Sequence, residues 1–424
     1  MAEIRNKKVI VAMSGGVDSS VAAKLLKDEG FDPTGIFLHF WKDENNPPSP
    51  LYQGGVENKC CSLEALADAR RVCQKIGMSL YTLNFSDVFK KEVVDYFLDE
   101  YKHGRTPNPC IRCNKSVKLG LLIKHAEKLG FDCVASGHYA RLGREIQNPK
   151  SQIPNNPEDS GQIPNSKNTK TQFIYKLFRA KDENKDQSYF LWTLTQEQLS
   201  HLLFPLGNYK KPEVRKLAEK FKLPTASKRE SQEICFIPGE SHNDFLKKYI
   251  KLKPGPIKTL NGKEVGKHQG LPLYTIGQRK GVEIGGIGPF YVVKCDYKTN
   301  TLYVANDGDD PILYSDKLIA ENVNWIAGVE PKLPLTCEAV IRYRHKPVKC
   351  KVEKHENTKT PPYAEASRGR QKHEKYLVKF AEPQRAITAG QSVVFYGIGR
   401  RATNSAHPNK FEKDEVIGGG IISC

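Results

Sequence analysis

One hexapeptide, Ser14-Gly15-Gly16-Val17-Asp18-Ser19, constrains this chain more than any other stretch. The apolar run Val9 to Met13 precedes it and reads as a strand; Val21 to Leu26 follows and reads as a helix. A glycine-rich turn between a strand and a helix is where a parallel α/β sheet binds phosphate. Gly15 and Gly16 carry no Cβ, so the backbone can approach an anion closely. The first N–H groups of the helix then face that anion. Asp18 supplies a carboxylate for the Mg²⁺ that accompanies a nucleotide. The plain alternative is a tight turn with a polar cap on an ordinary helix.

The hexapeptide is not a Walker loop, because no Lys follows the glycines, and it is not the dinucleotide fingerprint. It resembles the pyrophosphatase loop of the PP-loop ATPases, which split ATP between the α- and β-phosphates.

The first 140 residues alternate strand and helix. Strands fit Lys8–Met13, Gly35–Phe40, Ser79–Phe85 and Cys133–Ser136; helices fit Ser19–Glu29, Ser62–Ile76, Asp87–Tyr101 and Lys115–Leu129. This βαβ rhythm predicts a doubly wound parallel α/β sheet, Rossmann-like, with ligands at the carboxyl ends of its strands. Residues 146–171 break the rhythm with Asn, Pro, Ser and Gln, and read as a disordered insertion. From Pro254 onward, Gly and Pro become frequent. Short strands fit Phe290–Cys295, Thr301–Ala305, Glu338–Tyr343, Tyr376–Phe380 and Ser392–Tyr396, as in a small β-barrel. Residues 355–374 interrupt that region with a polar, basic stretch that reads as a long loop. The expected division is a catalytic domain over 1–225, a small central domain over 226–290 and a C-terminal β-barrel domain over 291–424.

Charge is strong and uneven. The chain of 424 residues carries a net +18. Residues 1–100 sum to −3, residues 101–300 to +17 and residues 301–424 to +4. A basic middle beside a near-neutral nucleotide-binding start predicts a polyanionic partner larger than ATP. Solubility charge is the plain alternative. No run approaches the 18 or more apolar residues of a membrane span, and the first residues hold no secretory apolar region, so a cytoplasmic location is expected. The 11 cysteines, an odd number in a large α/β chain, argue for reduced thiols rather than a disulfide framework.

Two cysteines stand in loops suited to chemistry. Thr106 to Asn114 reads Thr-Pro-Asn-Pro-Cys-Ile-Arg-Cys-Asn, and the prolines fix the backbone ahead of a helix expected from Lys115. Cys113 would then sit at a helix N-terminus beside Arg112 and Lys115, which favours a thiolate. A zinc half-site and a redox Cys-x-x-Cys are the alternatives. The adjacent pair Cys60-Cys61 is a poor second zinc pair. Cys235, in Ser231 to Pro238, lies in a polar loop beside an apolar anchor. By itself that is a weak signal, since a lone Cys before Phe-Ile is more often a buried small residue.

Taken in order, the motifs resemble the tRNA-specific 2-thiouridylases of the MnmA type over nearly the whole chain. The matching pieces are Ser14–Ser19, Gly35–Trp41, Gly104–Asn114, Ser136–Ala140, Lys185–Phe190, Ile234–Ile237, Gly277–Arg279, Arg342–Arg344 and Gly390–Ser392. The resemblance implies ATP held by Ala12, Met13, Ser14, Gly15, Gly16, Val17, Asp18, Ser19, Leu38 and Gly137. It implies a target base lined by Asn108, Pro109 and Cys110, with Cys113 as nucleophile and Cys235 as persulfide carrier. It implies tRNA contacts from His138, Lys185, Asp186, Gln187, Arg342, Tyr343 and Gln391. Read without the resemblance, Lys185 to Gln187 is a solvated turn; Arg342 to Arg344 is a basic-aromatic cluster on a strand. The implied partners are tRNAs for Lys, Glu and Gln, and a sulfur-relay protein or cysteine desulfurase. Many family members have Asp where this chain has Cys110. That third thiol raises the alternative of an iron–sulfur cluster on Cys110, Cys113 and Cys235, over which the persulfide route is preferred. The rival functions are another PP-loop ATPase, forming an amide or amidine, and a non-catalytic ATP-responsive RNA-binding protein.

Overall fold

A computed structural model describes residues 6–41, 62–146, 173–229, 234–237, 241–282, 289–355, 374–399 and 411–423. The polar stretches at 147–172 and 356–373, and the pair Cys60-Cys61, lie outside the described residues.

The N-terminal part is built on a parallel sheet. β1 (Lys8–Met13) is central, flanked by β2 (Asp32–His39) and then β3 (Leu80–Asn84) on one side. On its other side lie β4 (Cys133–Ala135) and the short strand Leu202–Leu203. Side chains along β1 alternate between two cores. Ile10 and Ala12 join Ile36, Leu38 and Val134 in one apolar cluster, whereas Val9, Val11 and Met13 join Phe37 and Ala135 in the other. Burial on both faces is why these strands read as unbroken apolar runs. α1 (Val17–Asp28) and α2 (Leu63–Ile76) cover one face. The Ser62 side chain caps α2 by accepting from Ala65 N, and Gly77, in the left-handed region, ends it.

Six antiparallel strands close a C-terminal barrel: Tyr314–Trp325, Leu335–Val340, Val348–Lys354, Tyr376–Arg385, Ser392–Tyr396 and Glu415–Ser423. The first pairs with the last, Ile319 opposite Ser423. Its interior is apolar, with Leu318, Cys337, Val352, Val378 and Phe395 among the buried residues. A hairpin, Ala140–Ile146 with Phe173–Arg179, leaves the parallel sheet and extends the barrel sheet, Leu177 facing Val416.

Two details differ from the sequence reading. Strands Tyr291–Asp296 and Thr301–Ala305, assigned there to the barrel region, belong to a separate four-stranded sheet with Gly255–Thr259 and Glu264–His268. A parallel pairing, Leu302 opposite Ile257, binds them there, and Ile257, Val292, Leu302 and Val304 form its core. The barrel strand expected over Glu338–Tyr343 ends at Val340. Arg342 to Arg344 therefore form a turn rather than a strand, with Arg344 at φ +66° leaving the ladder. No helix among the described residues is long and apolar enough to cross a membrane.

Candidate active site

The loop after β1 forms a cradle. Ala12 and Met13 are buried at the end of the strand. Gly15 then adopts φ +67°, and a Cβ there would come within 2.1 Å of the Ala65 carbonyl oxygen in the first turn of α2. Gly16 caps α1 with no side-chain hydrogen bond, so the cap leaves the first-turn amides to other acceptors. Ser19 Oγ donates to Gly16 O at 3.1 Å and lies 3.2 Å from Ser14 Oγ, tying the two ends of the loop together. Val17 packs into the core below. Gly137, after β4, closes the other side: a Cβ there would lie 2.8 Å from Ser19 N and 2.9 Å from Asp18 C. Leu38, near the end of β2, is buried in the adjoining wall. Gly15 lets the loop pack against α2, and Gly137 leaves room at the N-terminus of α1; the backbone-lined recess that results fits a polyphosphate.

Asp18 faces that recess and has cationic company. Lys211 Nζ donates to Asp18 Oδ1 at 2.7 Å and to Oδ2 at 2.9 Å, and the Tyr139 hydroxyl donates to Oδ1 at 2.8 Å. Lys211 is the first residue of the helix Lys211–Lys220 and is buried. Neither Lys211 nor Tyr139 was identified from sequence as a site residue. The local pattern shows only the Pro212 that marks the start of a helix.

The cysteine loop is helical earlier than its sequence suggests. Helix starts at Pro109, not Lys115, because Asn108 Oδ1 accepts from Cys110 N at 3.2 Å and Pro tolerates the first helical position. Cys110 thus occupies the second helical position and is exposed, whereas Cys113 ends this five-residue turn and is 9% exposed. The helix N-terminus expected beside Cys113 therefore lies at Cys110 instead. A π-helical segment, Asn114–Lys118, follows Cys113 immediately; such segments recur at functional sites. Arg112 does not stand as an isolated cation beside Cys113. It donates to Glu92 Oε2 at 2.6 Å and lies over the Tyr96 ring. Burial, and then the Arg112 charge, lower the Lys115 pKa.

Cys235 reaches the same region through its neighbour. Phe236 is 1% exposed and meets Trp41, Phe89, Phe97 and Phe245 edge-on, at centroid distances of 5.3 to 6.2 Å. Cys113 belongs to the apolar cluster around these rings, and Cys235 packs against that cluster. Two residues upstream of Cys235, Thr225 and Lys228, are fixed to the nucleotide side. Thr225 Oγ1 donates to Ser20 Oγ at 3.0 Å, and Lys228 pairs with the buried Asp68 of α2. Elsewhere, burial pushes the Cys73 and Cys133 thiols up to about 11 and that of Cys295 to about 12. Among the described residues no three Cys, His, Asp or Glu side chains converge as a metal-binding group.

The residues expected at RNA divide into two sets. Arg342 and Gln391 line a cavity of about 320 Å³ together with Thr106, Thr275, Gly277 and Gln278. Gln391 Nε2 donates to Thr106 O at 2.8 Å, which joins the barrel to the segment leading into Asn108 and Cys110. Tyr343 packs against Phe190, with ring centroids 4.5 Å apart and the planes tilted by 49°. The second set is engaged internally. Asp186 accepts from Ala180 N, Ser188 N and Ser188 Oγ. Gln187 Oε1 accepts from Tyr139 N at 2.9 Å. Lys185 is half-buried on that turn. His138 is buried; Lys118 can only donate to its Nε2, at 3.5 Å, so Nδ1–H donates to Ser136 Oγ at 2.8 Å. Burial, then the Lys118 charge, hold this imidazole well below its ordinary pKa.

Comparison with known proteins covers nearly the whole chain. Residues 7–239 match the family model described as the tRNA methyl transferase HUP domain. Residues 243–306 match the corresponding PRC-barrel domain, and 315–361 and 359–422 match an aminomethyltransferase beta-barrel domain. The chain is 42% identical over 391 residues to a protein of Roseiflexus castenholzii named tRNA-specific 2-thiouridylase MnmA, covering 92% of this chain and 96% of that one. It is 41% identical over 419 residues to a protein of Thermoanaerobacter sp. (strain X514) named tRNA-specific 2-thiouridylase MnmA 2, covering 98% of each.

Proposed function

From the premise that the chain belongs to the tRNA-specific 2-thiouridylase family and is a tRNA-uridine 2-sulfurtransferase, we propose that it thiolates the wobble uridine by adenylation followed by persulfide transfer. One observation carries this reading: the phosphate cradle, Cys113 and Cys235 all fall within residues 7–239, which match a single domain model. Cys113 and Cys235 meet one apolar cluster, and Thr225, upstream of Cys235, is tied to α1 through Ser20.

ATP supplies a good leaving group for the C2 oxygen of uracil, which attacks the α-phosphorus while pyrophosphate departs. The residues around the recess act on charge. The first-turn amides of α1 and the Lys211 ammonium oppose the charge of the departing pyrophosphate, and Asp18 offers its carboxylate to Mg²⁺. Asn108, Pro109 and Cys110 border the base. An anticodon loop gives up a base cheaply because it is not paired in a duplex.

The terminal sulfur of a Cys235 persulfide then attacks C2, and AMP leaves. Cys113 attacks the inner sulfur of Cys235, so the terminal sulfur leaves with the bond's electron pair and the two cysteines end as a disulfide. A thiol reductant must cleave that disulfide before the next turnover. The sulfur comes from a sulfur-relay protein or a cysteine desulfurase, and the substrates are the tRNAs for Lys, Glu and Gln.

Nucleoside mass analysis tests the reading. Full-length protein is incubated with tRNA, ATP, Mg²⁺ and a persulfide source. The expected result is 2-thiouridine at the wobble position only when all four are present. Pyrophosphate release that ignores tRNA and sulfur would instead indicate another PP-loop ATPase, and no release at all would indicate an RNA-binding protein.

A further inference from the structure

A second cavity, of about 340 Å³, lies where the helix ending at Lys102 meets the four-stranded sheet. Four lysines surround it: Lys102, Lys251, Lys253 and Lys298. Among the described residues that line it none is acidic. Among the described residues none of the four ammonium groups has an ion-pair partner, although paired lysines are common elsewhere on the chain. Four like charges around one concavity repel one another and focus a positive potential into it. All four are exposed, so water solvates them in the free protein and an anion entering the concavity would meet all four charges.

The frame holding these lysines is fixed. Asn300, at φ +51°, donates through Nδ2 to Pro254 O at 2.8 Å, which clamps the turn carrying Lys298 to the segment carrying Lys253. His268 Nε2 donates to Asn300 O at 3.0 Å from beneath, so its proton sits on Nε2. The floor is apolar, formed by Ile250 and Leu271. Tyr297 stands at the rim, 42% exposed, with its ring against Gly104. Gly104 is followed two residues later by Thr106, which lines the Arg342 cavity, and that segment runs on into Asn108 and Cys110. The 102–106 segment therefore carries residues of both cavities.

We propose that this lysine-lined cavity binds backbone phosphates of the same RNA whose uridine reacts, with the Tyr297 ring against an adjacent ribose or base. The proposal rests on the thiolation reading above. It concerns affinity and placement, since lysines facing a phosphate read charge rather than sequence. Counterion release gives it a quantitative signature: each phosphate contact contributes about 0.7 to 0.9 to the slope of log K against log salt.

The test uses full-length protein and a tRNA transcript. Lys251→Gln/Lys253→Gln, Lys102→Gln/Lys298→Gln and the fourfold variant keep the aliphatic stems. Each double variant should bind tRNA about tenfold more weakly at low salt, with a salt slope smaller by about one to two, and Lys→Arg at the same positions should restore both. On the unmodified protein, tRNA should protect these four lysines from amine acylation, and inorganic phosphate at the same phosphate concentration should not. Unchanged affinity and slope in a folded fourfold variant would overturn the proposal. So would equal protection by inorganic phosphate, or loss of binding to an acidic sulfur-donor protein with tRNA binding intact. If the unmodified protein thiolates tRNA while the variants behave like it, the cavity assignment alone fails. If the unmodified protein neither binds nor thiolates tRNA, both readings fail.

Discussion

Lys211 Nζ is hydrogen-bonded to both carboxylate oxygens of Asp18, at 2.7 and 2.9 Å, although 193 residues separate them in sequence. The pair sits at the mouth of the phosphate cradle, with the Lys211 side chain 10% exposed and that of Asp18 32% exposed. Asp18 would be the residue to hold a divalent cation bound with ATP, and Lys211 would then be available to oppose phosphate charge. Asp18→Asn should abolish ATP-dependent adenylation. Lys211→Met should lower it by roughly 10²-fold, the usual loss when one preorganised charge-stabilising group is removed. Both variants should bind tRNA within about twofold of the unmodified protein. Pyrophosphate release and filter binding check this, and normal pyrophosphate release in either variant would remove that residue from the site.

The thiol roles separate in a similar way. Cys235→Ser should still adenylate tRNA but accept no sulfur. Cys113→Ser should accept sulfur on Cys235 and yield no thiouridine. Persulfide labelling with mass mapping checks both, and label found on Cys113 but never on Cys235 would reverse the assignment.

Phe236 links that chemistry to packing. Its ring meets four aromatic neighbours, and it is the residue after Cys235. Phe236→Ala should cost about 3 to 5 kcal/mol of stability, as for other buried aromatic truncations. Phe236→Leu should cost less and still lower the thiolation rate, because the Cys235 loop loses its anchor. Denaturant melts read the first effect and single-turnover thiolation the second; a Leu variant with full rate would show that the anchor is structural only.

What could be read from the sequence was what is local. β1, the glycine turn and α1 are contiguous, and their burial pattern, cap and backbone needs all sit between Lys8 and Asp28. Ser62 announced α2 for the same reason. Asn108 and Pro109 carried two meanings, an extended lead-in or a capped helix start, and only the hydrogen bond to Cys110 N decides between them. Pairing across distance was not legible. Nothing in Thr301–Ala305 says that Leu302 will lie beside Ile257 rather than inside the barrel. Nothing near Lys211 points to Asp18. The turn at Arg344 required a positive φ that an Arg does not advertise.

His138 predicts a pH effect. Burial and the Lys118 charge hold its imidazole well below the ordinary value of 6.5, so the folded chain keeps it neutral. The unfolded chain binds a proton near pH 6.5 and the folded chain does not, so stability falls as pH drops below that value. The loss is at most about 1.4 kcal/mol per pH unit for one such group. Melting temperature should therefore drop between pH 7.5 and 5.5, and His138→Gln should flatten that drop. Glu415, whose carboxyl burial pushes up, acts in the opposite sense, so the difference between the two proteins isolates His138. Equal pH dependence in both would contradict the assignment.

Cys110 offers the last test. It is exposed at the second helical position behind the Asn108 cap, where the helix N-terminus favours negative charge. An aspartate there gains the same end-of-helix interaction, worth about 0.3 to 1 kcal/mol, and hydrogen-bonds more strongly than a thiol. Cys110→Asp should thus be as stable as the unmodified protein or slightly more so. It should also retain thiolation in aerobically prepared, iron-free enzyme, because the persulfide route uses only Cys113 and Cys235. Its denaturation midpoint and nucleoside mass analysis check the two halves. Anaerobic reconstitution provides the decisive contrast: a cluster that forms in the unmodified protein, is lost in Cys110→Asp and takes thiouridine formation with it would replace the persulfide mechanism with a three-cysteine one.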